Sequence, residues 1–480
     1  MEYLFVLLVC LVASCDFLNT AEDIYFILAT GRYITEHGIF YEDVLTMHEG
    51  LNFQAEQWLT SVMYWNIYDN FGLFGLSLII ALFFCLTGVL YYKIYQYYGG
   101  KGMFFPVMSL LMLGIFYASS RPQTISMFFS LLFLYSLEMA RKSKKWYGVS
   151  LLCSTAVANF HGGVWFTLLL IIGAFAVQFY KDWKEYAVLI LGVFLFGALN
   201  PYGFGMLGFA GGTLAEGYHA MMAEEMRPAA LVVKGVILQD GLFVIFSIFL
   251  LGLTYKRLEL RHILLFFGFW LMSMVAVRGF LQLLLLGFPA VLVHIDKKWD
   301  NYIFVLPIII GKLFTSGFFW VSNYNLFYLL ISIILLWKLR KSVYKFSCIV
   351  LFITMFFVRP YGFASNNYIE KTDLVNAMTT YPGGTVYTVH GSFFEFFGYK
   401  PYIDMRLELF SKTKNKKKNI IWEYLAVRDG KYYFPDFVDK YKFDYIITNE
   451  GELEYTYMRD VKGYKKIYEK DKLRLYERLP

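Results

Sequence analysis

Cysteine is scarce: there are five in 480 residues. Cys10, Cys15, Cys85, Cys153 and Cys348 all fall in apolar runs. None has the spacing of a metal site or a disulfide framework, which leaves them as small core residues. Charge is thin as well. Charged residues make up 17% of the chain against 58% hydrophobic residues, and mean hydropathy is +0.49, which excludes an ordinary soluble protein. No glycine-rich loop opens a helix, so the phosphate cradle of a nucleotide-sugar enzyme is missing. No segment recurs at a fixed period, which excludes solenoids and repeat arrays. No Lys or Arg precedes the first apolar run, LFVLLVCLVASC. A cleaved export signal normally carries one, so the expectation is a retained helix, although Val12-Ala13-Ser14-Cys15 resembles a lipoprotein cleavage site.

What is present is a succession of apolar runs of transmembrane length. They fall at 2–17, 72–98, 102–119, 122–141, 146–159, 164–180, 186–199, 242–255, 262–277, 280–295, 302–321, 326–339 and 343–358. This pattern predicts a polytopic α-helical membrane protein with about 13 transmembrane helices. With a cytoplasmic N-terminus, the inner loops collect Lys and Arg at Lys93, Lys101, Arg141, Lys142, Lys144, Lys145, Lys181, Lys184, Arg257, Arg261, Lys297 and Arg340, among others. The opposite side holds only Arg32, Arg121, Arg227, Lys234, Arg278 and Arg359, the asymmetry of the positive-inside rule. The net charge of +7 therefore belongs to membrane topology, and no nucleic-acid partner is expected. On this orientation Glu22, Asp23, Arg121, Asn159, His161, Asn200, Glu224, Glu225, Arg278 and Arg359 all stand at outer helix ends, a set of isolated polar groups suited to one-sided chemistry.

Beyond Arg359 the composition turns charged and Tyr-rich. GTVYTV, KPYID, FDYIIT, YKKIYE and KLRLYER read as strands. SFFEFFGY, KKNIIWEYLAV, FPDFVDKYK and ELEYTYMRD read as the helices between them. Residues 360–480 are thus expected to form a small extracytoplasmic α/β domain after a membrane domain at 1–359. The first outer loop, 18–57, is too long for a mere connector. Within it, DIYFILATGRYITEHG aligns Ile24, Ile27, Leu28, Tyr33 and Ile34 on one helical side, as a helix lying in the membrane interface would. QWLTSVMYWNIY reads as a second such helix, with Trp58, Tyr64 and Trp65 at headgroup level.

The chemistry-bearing candidates follow from these positions. Asp23 can act as a general base toward a hydroxyl, and with Glu22 it could hold a divalent cation. The alternative reading is a helix cap made by Thr20, Glu22 or Asp23. Arg121, just before the helix-starting Pro122, can snorkel or bind a lipid-linked phosphate through its fork. Asn159 and His161 are polar groups in an apolar setting and so candidates for function, although a lone His is often only a satisfied structural residue. Arg278 sits in a hairpin between two spans, and Asn200-Pro201 ends a helix.

Taken in order, Asp23, Gly31-Arg32, His37-Gly38, Asp43, Gln57-Trp58-Leu59 and Gly72-Leu73 resemble the first outer loop of the C-type (GT-C) membrane glycosyltransferases. The resemblance is to a bacterial group related to the protein O-mannosyltransferases. Arg121-Pro122-Gln123, Asn159-Phe160-His161-Gly162, Asn200-Pro201-Tyr202-Gly203 and Arg278 with Pro289 fit the same order. So does the tail, GSFFEFFGYKPYIDMRLELF with Asp404 and Arg406, then KFDYIITN and LYER. The resemblance implies a polyprenyl-phosphate sugar donor, an envelope acceptor outside the membrane and an acidic base in the first loop. That base is Asp23 or Glu22. The donor phosphate is expected near Arg121, His161 or Arg278, and Arg32, Asp43, Glu56 and Asn159 are the candidate cavity residues. No cofactor is certain, and the acidic pair could hold a divalent cation. Asp404 and Arg406 are expected to form an internal ion pair. Two other classes fit the same membrane pattern, a lipid-linked saccharide flippase and a non-catalytic scaffold of envelope assembly. A flippase would normally show related halves, and none is visible.

Overall fold

A computed structural model of the chain describes residues 2–14, 23–213, 226–231, 237–295, 366–411, 419–470 and 472–480. The expected spans at 302–321, 326–339 and 343–358, together with Glu22, Glu224, Glu225 and Arg359, lie outside the described residues. Two compact units divide the chain. The first comprises Met1–Phe17 and Ser77–Gly362, the second Leu18–Leu76 and Phe363–Pro480. The first outer loop, expected within the membrane domain, therefore folds with the C-terminal segment.

In the first unit, each expected span within the described residues is a helix, among them Glu2–Ala13, Phe104–Tyr117, Gln123–Ala140, Trp146–Phe160, Ile237–Thr254 and Leu260–Val275. Among the described residues only Trp58–Tyr97 and Gln123–Ala140 are long and apolar enough to cross a bilayer. Gly162–Gln178 and Tyr180–Gly197, expected as two separate spans, form a pair bent by 111° that would add one more crossing at most. The others are shorter. At 1.5 Å per residue, the 14 residues of Phe104–Tyr117 reach about 21 Å, against a hydrocarbon core of about 30 Å.

Small residues let these helices approach closely. A Cβ on Gly88 would stand 2.3 Å from the Cys10 sulfur, and one on Gly114 would stand 2.3 Å from the Ala13 Cβ. The Val277–Leu292 helix contains a π turn at Leu283–Gly287. Such a turn loosens the regular carbonyl ladder, and the buried Tyr91 hydroxyl donates to the Leu284 carbonyl at 3.2 Å.

The second unit is built on a five-stranded mixed sheet. Its strands are β1 (Thr385–Tyr387), β2 (Lys400–Pro401), β3 (Tyr445–Asn449), β4 (Tyr464–Lys470) and β5 (Leu473–Arg478), in the order β2-β1-β3-β5-β4. β1 pairs parallel with β2 and with β3, whereas β5 is antiparallel to β3 and to β4. Every expected strand and helix of this region is present. The central β3, a nearly unbroken apolar run, is buried along Tyr445–Thr448, as a strand covered on both faces requires. Edge strand β4 exposes Lys465, Lys466, Glu469 and Lys470, charges that discourage edge-to-edge pairing. Asp444 ties three strands together. Its Oδ2 accepts from the Thr385 amide at 2.8 Å, and its Oδ1 accepts from Arg478 at 2.6 Å.

The Asp23–His37 helix also belongs to this unit. Its apolar face is buried at Ile24, Ile27, Leu28 and Ile34, so protein covers the side that the sequence suggested would meet lipid. Gly31 allows the crossing with the next helix, because a Cβ there would stand 2.0 Å from the Ser61 carbonyl oxygen. That next helix, starting at Trp58, breaks at Gly72 (φ 59°, ψ −157°), where the expected interfacial segment gives way to the expected span.

Candidate functional site

In the first unit three helix ends carry the candidate donor-binding groups. Arg121 sits in the turn before the Gln123–Ala140 helix, and that turn is locked from both sides. Gln123 Nε2 donates to the Tyr117 carbonyl at 2.9 Å. The Thr124 hydroxyl donates to the Ser119 carbonyl at 2.8 Å. His161 follows the Trp146–Phe160 helix, with its amide donating to the Val157 carbonyl at 2.8 Å, and precedes the Phe166–Gln178 helix. Arg278 sits in the tight turn after Leu260–Val275. Gly279 is required there, since a Cβ would stand 2.8 Å from the Ser273 nitrogen. Phe166–Gln178 packs on both Gln123–Ala140 and Leu260–Val275.

These turns bring Arg121, His161 and Arg278 into one electrostatic neighbourhood. His161 is buried, and its Nδ1 lies 3.0 Å from the buried Ser126 hydroxyl. Burial, then Arg278, then Arg121 push its pKa down to about 3. The ring is therefore neutral at physiological pH, and the positive charge of the cluster comes from the two half-buried arginines. Asn159 is buried beside them in sequence but serves the backbone. Its Nδ2 donates to the Thr155 and Leu199 carbonyls at 2.8 and 2.9 Å.

In the second unit, Asp23 is half-buried and opens the Asp23–His37 helix, where a negative charge favours the helix dipole. Glu22, the other candidate base and the other half of the cation pair, lies outside the described residues. Arg32, one face further along, donates to the Phe396 carbonyl at 3.0 Å and lies over the Trp65 and Phe396 rings at 5.5 and 5.7 Å. Glu56 is half-buried in the turn that leads into Trp58.

Asp43 is fully committed. Its Oδ1 accepts from Arg406 at 2.8 Å, and its Oδ2 accepts from the Thr46 amide at 3.0 Å and from the Thr46 hydroxyl at 2.6 Å. The expected Asp404–Arg406 ion pair is present, with Arg406 Nε donating to Asp404 Oδ2 at 2.9 Å. It is part of a larger buried cluster in which Arg406 also donates to Glu395 at 2.8 Å and lies over Phe53 at 4.9 Å. Burial pushes the Glu395 carboxyl well up. Arg406 opposes that push, and Asp404 reinforces it through charge and a hydrogen bond. Burial also pushes the Asp404 carboxyl up, but Arg406 and the hydrogen bonds from Glu395 and Arg406 outweigh it, and the net direction is down. The cluster thus sets one guanidinium against three acids, with Glu395 pushed toward its protonated form and Asp404 toward its ionised one.

Sequence reading missed a second buried ionic cluster, in the first unit. Glu138 Oε1 accepts from the Tyr98 hydroxyl at 2.9 Å and from Arg261 Nε at 3.1 Å. The Arg261 amide donates to Gln178 at 3.2 Å, and His262 Nε2 stands 3.7 Å from Glu138. The available signal was a lone Glu near the end of an apolar run, the kind of residue that rarely enters a membrane segment unpaired. Glu138, Gln178 and Arg261 sit at the opposite ends of the three helices whose other ends carry Arg121, His161 and Arg278. One helix group therefore has an ionic clamp at one end and a cationic cluster at the other.

No family model and no curated protein matches the chain. Solved structures do. ArnT from Cupriavidus metallidurans in the apo state aligns with TM-score 0.59 and 11% identity over 99% of this chain and 96% of that one. ArnT bound to undecaprenyl phosphate aligns with TM-score 0.56 and 11% identity, over 99% and 97%. The oligosaccharyltransferase of Archaeoglobus fulgidus aligns with TM-score 0.51 and 10% identity, over 93% of this chain and 69% of that one. At these identities the likeness is one of fold alone.

Proposed function

We propose that the protein is a membrane glycosyltransferase that moves a sugar from a polyprenyl-phosphate donor to an extracytoplasmic envelope acceptor. Within the superfamily we place it nearest the group related to the protein O-mannosyltransferases. The observation that carries this reading is the gathering of Arg121, Arg278 and neutral His161 at one end of a helix group, in a chain that shares its fold with a protein whose structure holds undecaprenyl phosphate. Two guanidinium forks suit a phosphate's oxygens. They are worth most where negative charge grows on the leaving phosphate in the transition state.

In this reading Asp23 accepts the proton of the acceptor hydroxyl. The hydroxyl oxygen bonds to the anomeric carbon, and the bond from that carbon to the phosphate oxygen breaks. Its electron pair leaves with the polyprenyl phosphate. The displacement inverts the anomeric centre, through the oxocarbenium-like state general to glycosyl chemistry. The N-terminus is cytoplasmic and the β-sheet unit extracytoplasmic. Asp43 and Arg32 have structural roles, with both Asp43 oxygens and the Arg32 Nη2 engaged within the second unit.

The test is turnover by the purified full chain in lipid nanodiscs supplied with polyprenyl-phosphate hexoses. Donor consumption that falls at least a hundredfold in Asp23→Asn, the general range for a lost acid–base group, is the expected result. Full activity in Asp23→Asn together with full activity in Glu22→Gln removes the base assignment, and labelled-lipid translocation without turnover removes the enzyme.

A further inference from the structure

We propose that His161 Nε2 is a hydrogen-bond acceptor for a hydroxyl of the bound sugar, a subsite beside the two arginines and separate from their phosphate contacts. The proposal rests on the donor class proposed above. It starts from one proton on Ser126. The Ser126 Oγ lies 3.0 Å from the Gln123 carbonyl oxygen and 3.0 Å from His161 Nδ1. A serine hydroxyl has one hydrogen to donate and lone pairs to accept with, and the Gln123 carbonyl can only accept.

With Nδ1 bare, the hydroxyl faces two acceptors and can satisfy one. The other contact then sets lone pair against lone pair in a buried place. With Nδ1 protonated, the ring donates to Oγ, Oγ donates to Gln123, and both contacts are hydrogen bonds. An unmade bond between buried groups costs roughly 1–3 kcal/mol, so the second arrangement prevails. Burial and the neighbouring Arg278 and Arg121 keep the ring neutral, and a neutral imidazole has a single N–H. Nε2 therefore carries a lone pair, and it makes no hydrogen bond to any described residue.

A bare nitrogen cannot bond a phosphate oxygen, because both are acceptors. It needs a ligand group that brings its own proton. In a polyprenyl-phosphate sugar, the groups of that kind near the phosphate are the hydroxyls of the sugar ring. The arginines thus recognise the part of the donor common to all lipid phosphates, while His161 recognises what distinguishes a glycosylated lipid from a bare one.

The experiment uses the full chain in nanodiscs, in two arms. In the first, nitrogen NMR of histidine-labelled protein, with the His161 signals identified by their loss in His161→Asn, is expected to show a protonated Nδ1 and a bare Nε2 at neutral pH. A protonated Nε2 overturns the proposal. The second arm compares the affinities of undecaprenyl phosphate and of polyprenyl-phosphate hexoses. His161→Asn keeps an amide for Ser126 but nothing at the Nε2 position, whereas His161→Gln places an amide oxygen near it. The Asn variant should bind undecaprenyl phosphate like the parent and lose about tenfold for one or more hexose donors, the value of one hydrogen bond. The Gln variant should recover most of that loss. Equal weakening of both ligands in the Asn variant overturns the subsite, and so does a parent that does not distinguish them. Sugar-dependent affinity without any turnover instead overturns the transferase reading and leaves the subsite standing.

Discussion

Arg406 reaches three acids through three different nitrogens: Nη1 to Asp43, Nη2 to Glu395, and Nε to Asp404. A lysine ammonium is a compact point charge without that fork. Arg406→Lys should therefore destabilise the second unit almost as much as Arg406→Met, by about 3–5 kcal/mol, the range for breaking a buried ion pair. Chemical unfolding of the full chain, followed by hydrogen exchange at residues 393–406, checks this. Only the Asp404–Arg406 pair was legible in the sequence, because its members stand two residues apart. Asp43 is 363 residues away and has no local pattern to announce it, and Glu395 is hidden in an aromatic run. Glu395 also gives a pH prediction. Its folded pKa is raised above the ordinary 4.5, so its stabilising effect is fully present below the unfolded value and drains away as pH rises toward the folded one. Asp404 has the opposite sign, its contribution present above the unfolded value and lost only in acid. Glu395→Gln, which mimics the protonated acid, should make exchange protection at 393–406 less sensitive to pH between about 5 and 8, and greater than in the parent at pH 8. A variant with the parent's slope would contradict a neutral Glu395.

At the scale of elements, local pattern carried the C-terminal region well. Short runs rich in Tyr, most of them with β-branched residues, marked the strands there, with helical segments between them. The same logic found a break near Gly72, whose positive φ suits glycine. It failed where helices choose partners. The face of Asp23–His37 looked suited to lipid because an apolar stripe does not say what covers it. The evidence of a protein partner was Gly31, and its meaning emerges only beside Ser61. Gly31→Ala should force the two helices apart at a cost of about 1–3 kcal/mol, measurable as increased exchange along 24–34. The Glu138 clamp tests whether the two ends of its helix group act independently. The Gln123–Ala140 helix has 18 residues, so its ends are separated by about 27 Å. Glu138→Gln strips Arg261 of its buried partner and should lower thermal stability clearly. Undecaprenyl-phosphate affinity at the Arg121 end should stay within about twofold. A tenfold loss would instead mean that the clamp sets the geometry of the cationic cluster.

At the scale of the molecule, the chain order and the folding units disagree, and that disagreement has consequences. Residues 18–76 belong with residues 363–480, although nearly three hundred residues separate them. The reasons lie in side chains. Asp43 depends on Arg406 for its counter-charge. Arg32 depends on the Phe396 carbonyl. Tyr25 packs edge-on to Phe393, with ring centroids 4.8 Å apart. None of these pairings could be read from composition or periodicity, since hydropathy assigns a loop to the spans that flank it. It follows that the helix opening at Asp23 is held by the C-terminal segment. A chain ending at Gly362 would keep its apolar helices and leave Asp43 and Phe53 without Arg406, and Arg32 without the Phe396 carbonyl. A buried acid deprived of its arginine must either rehydrate or take up a proton, and the aromatic contacts that could offset either would be gone. We therefore expect such a truncated chain to insert in membranes and retain hydrogen-exchange protection along Gln123–Ala140 and Leu260–Val275, while protection across 24–67 collapses. Any Asp23-dependent turnover should vanish with it, although Asp23 itself is untouched. Native protection across 24–67 in the truncated chain would show that the first outer loop is ordered by something other than the C-terminal segment.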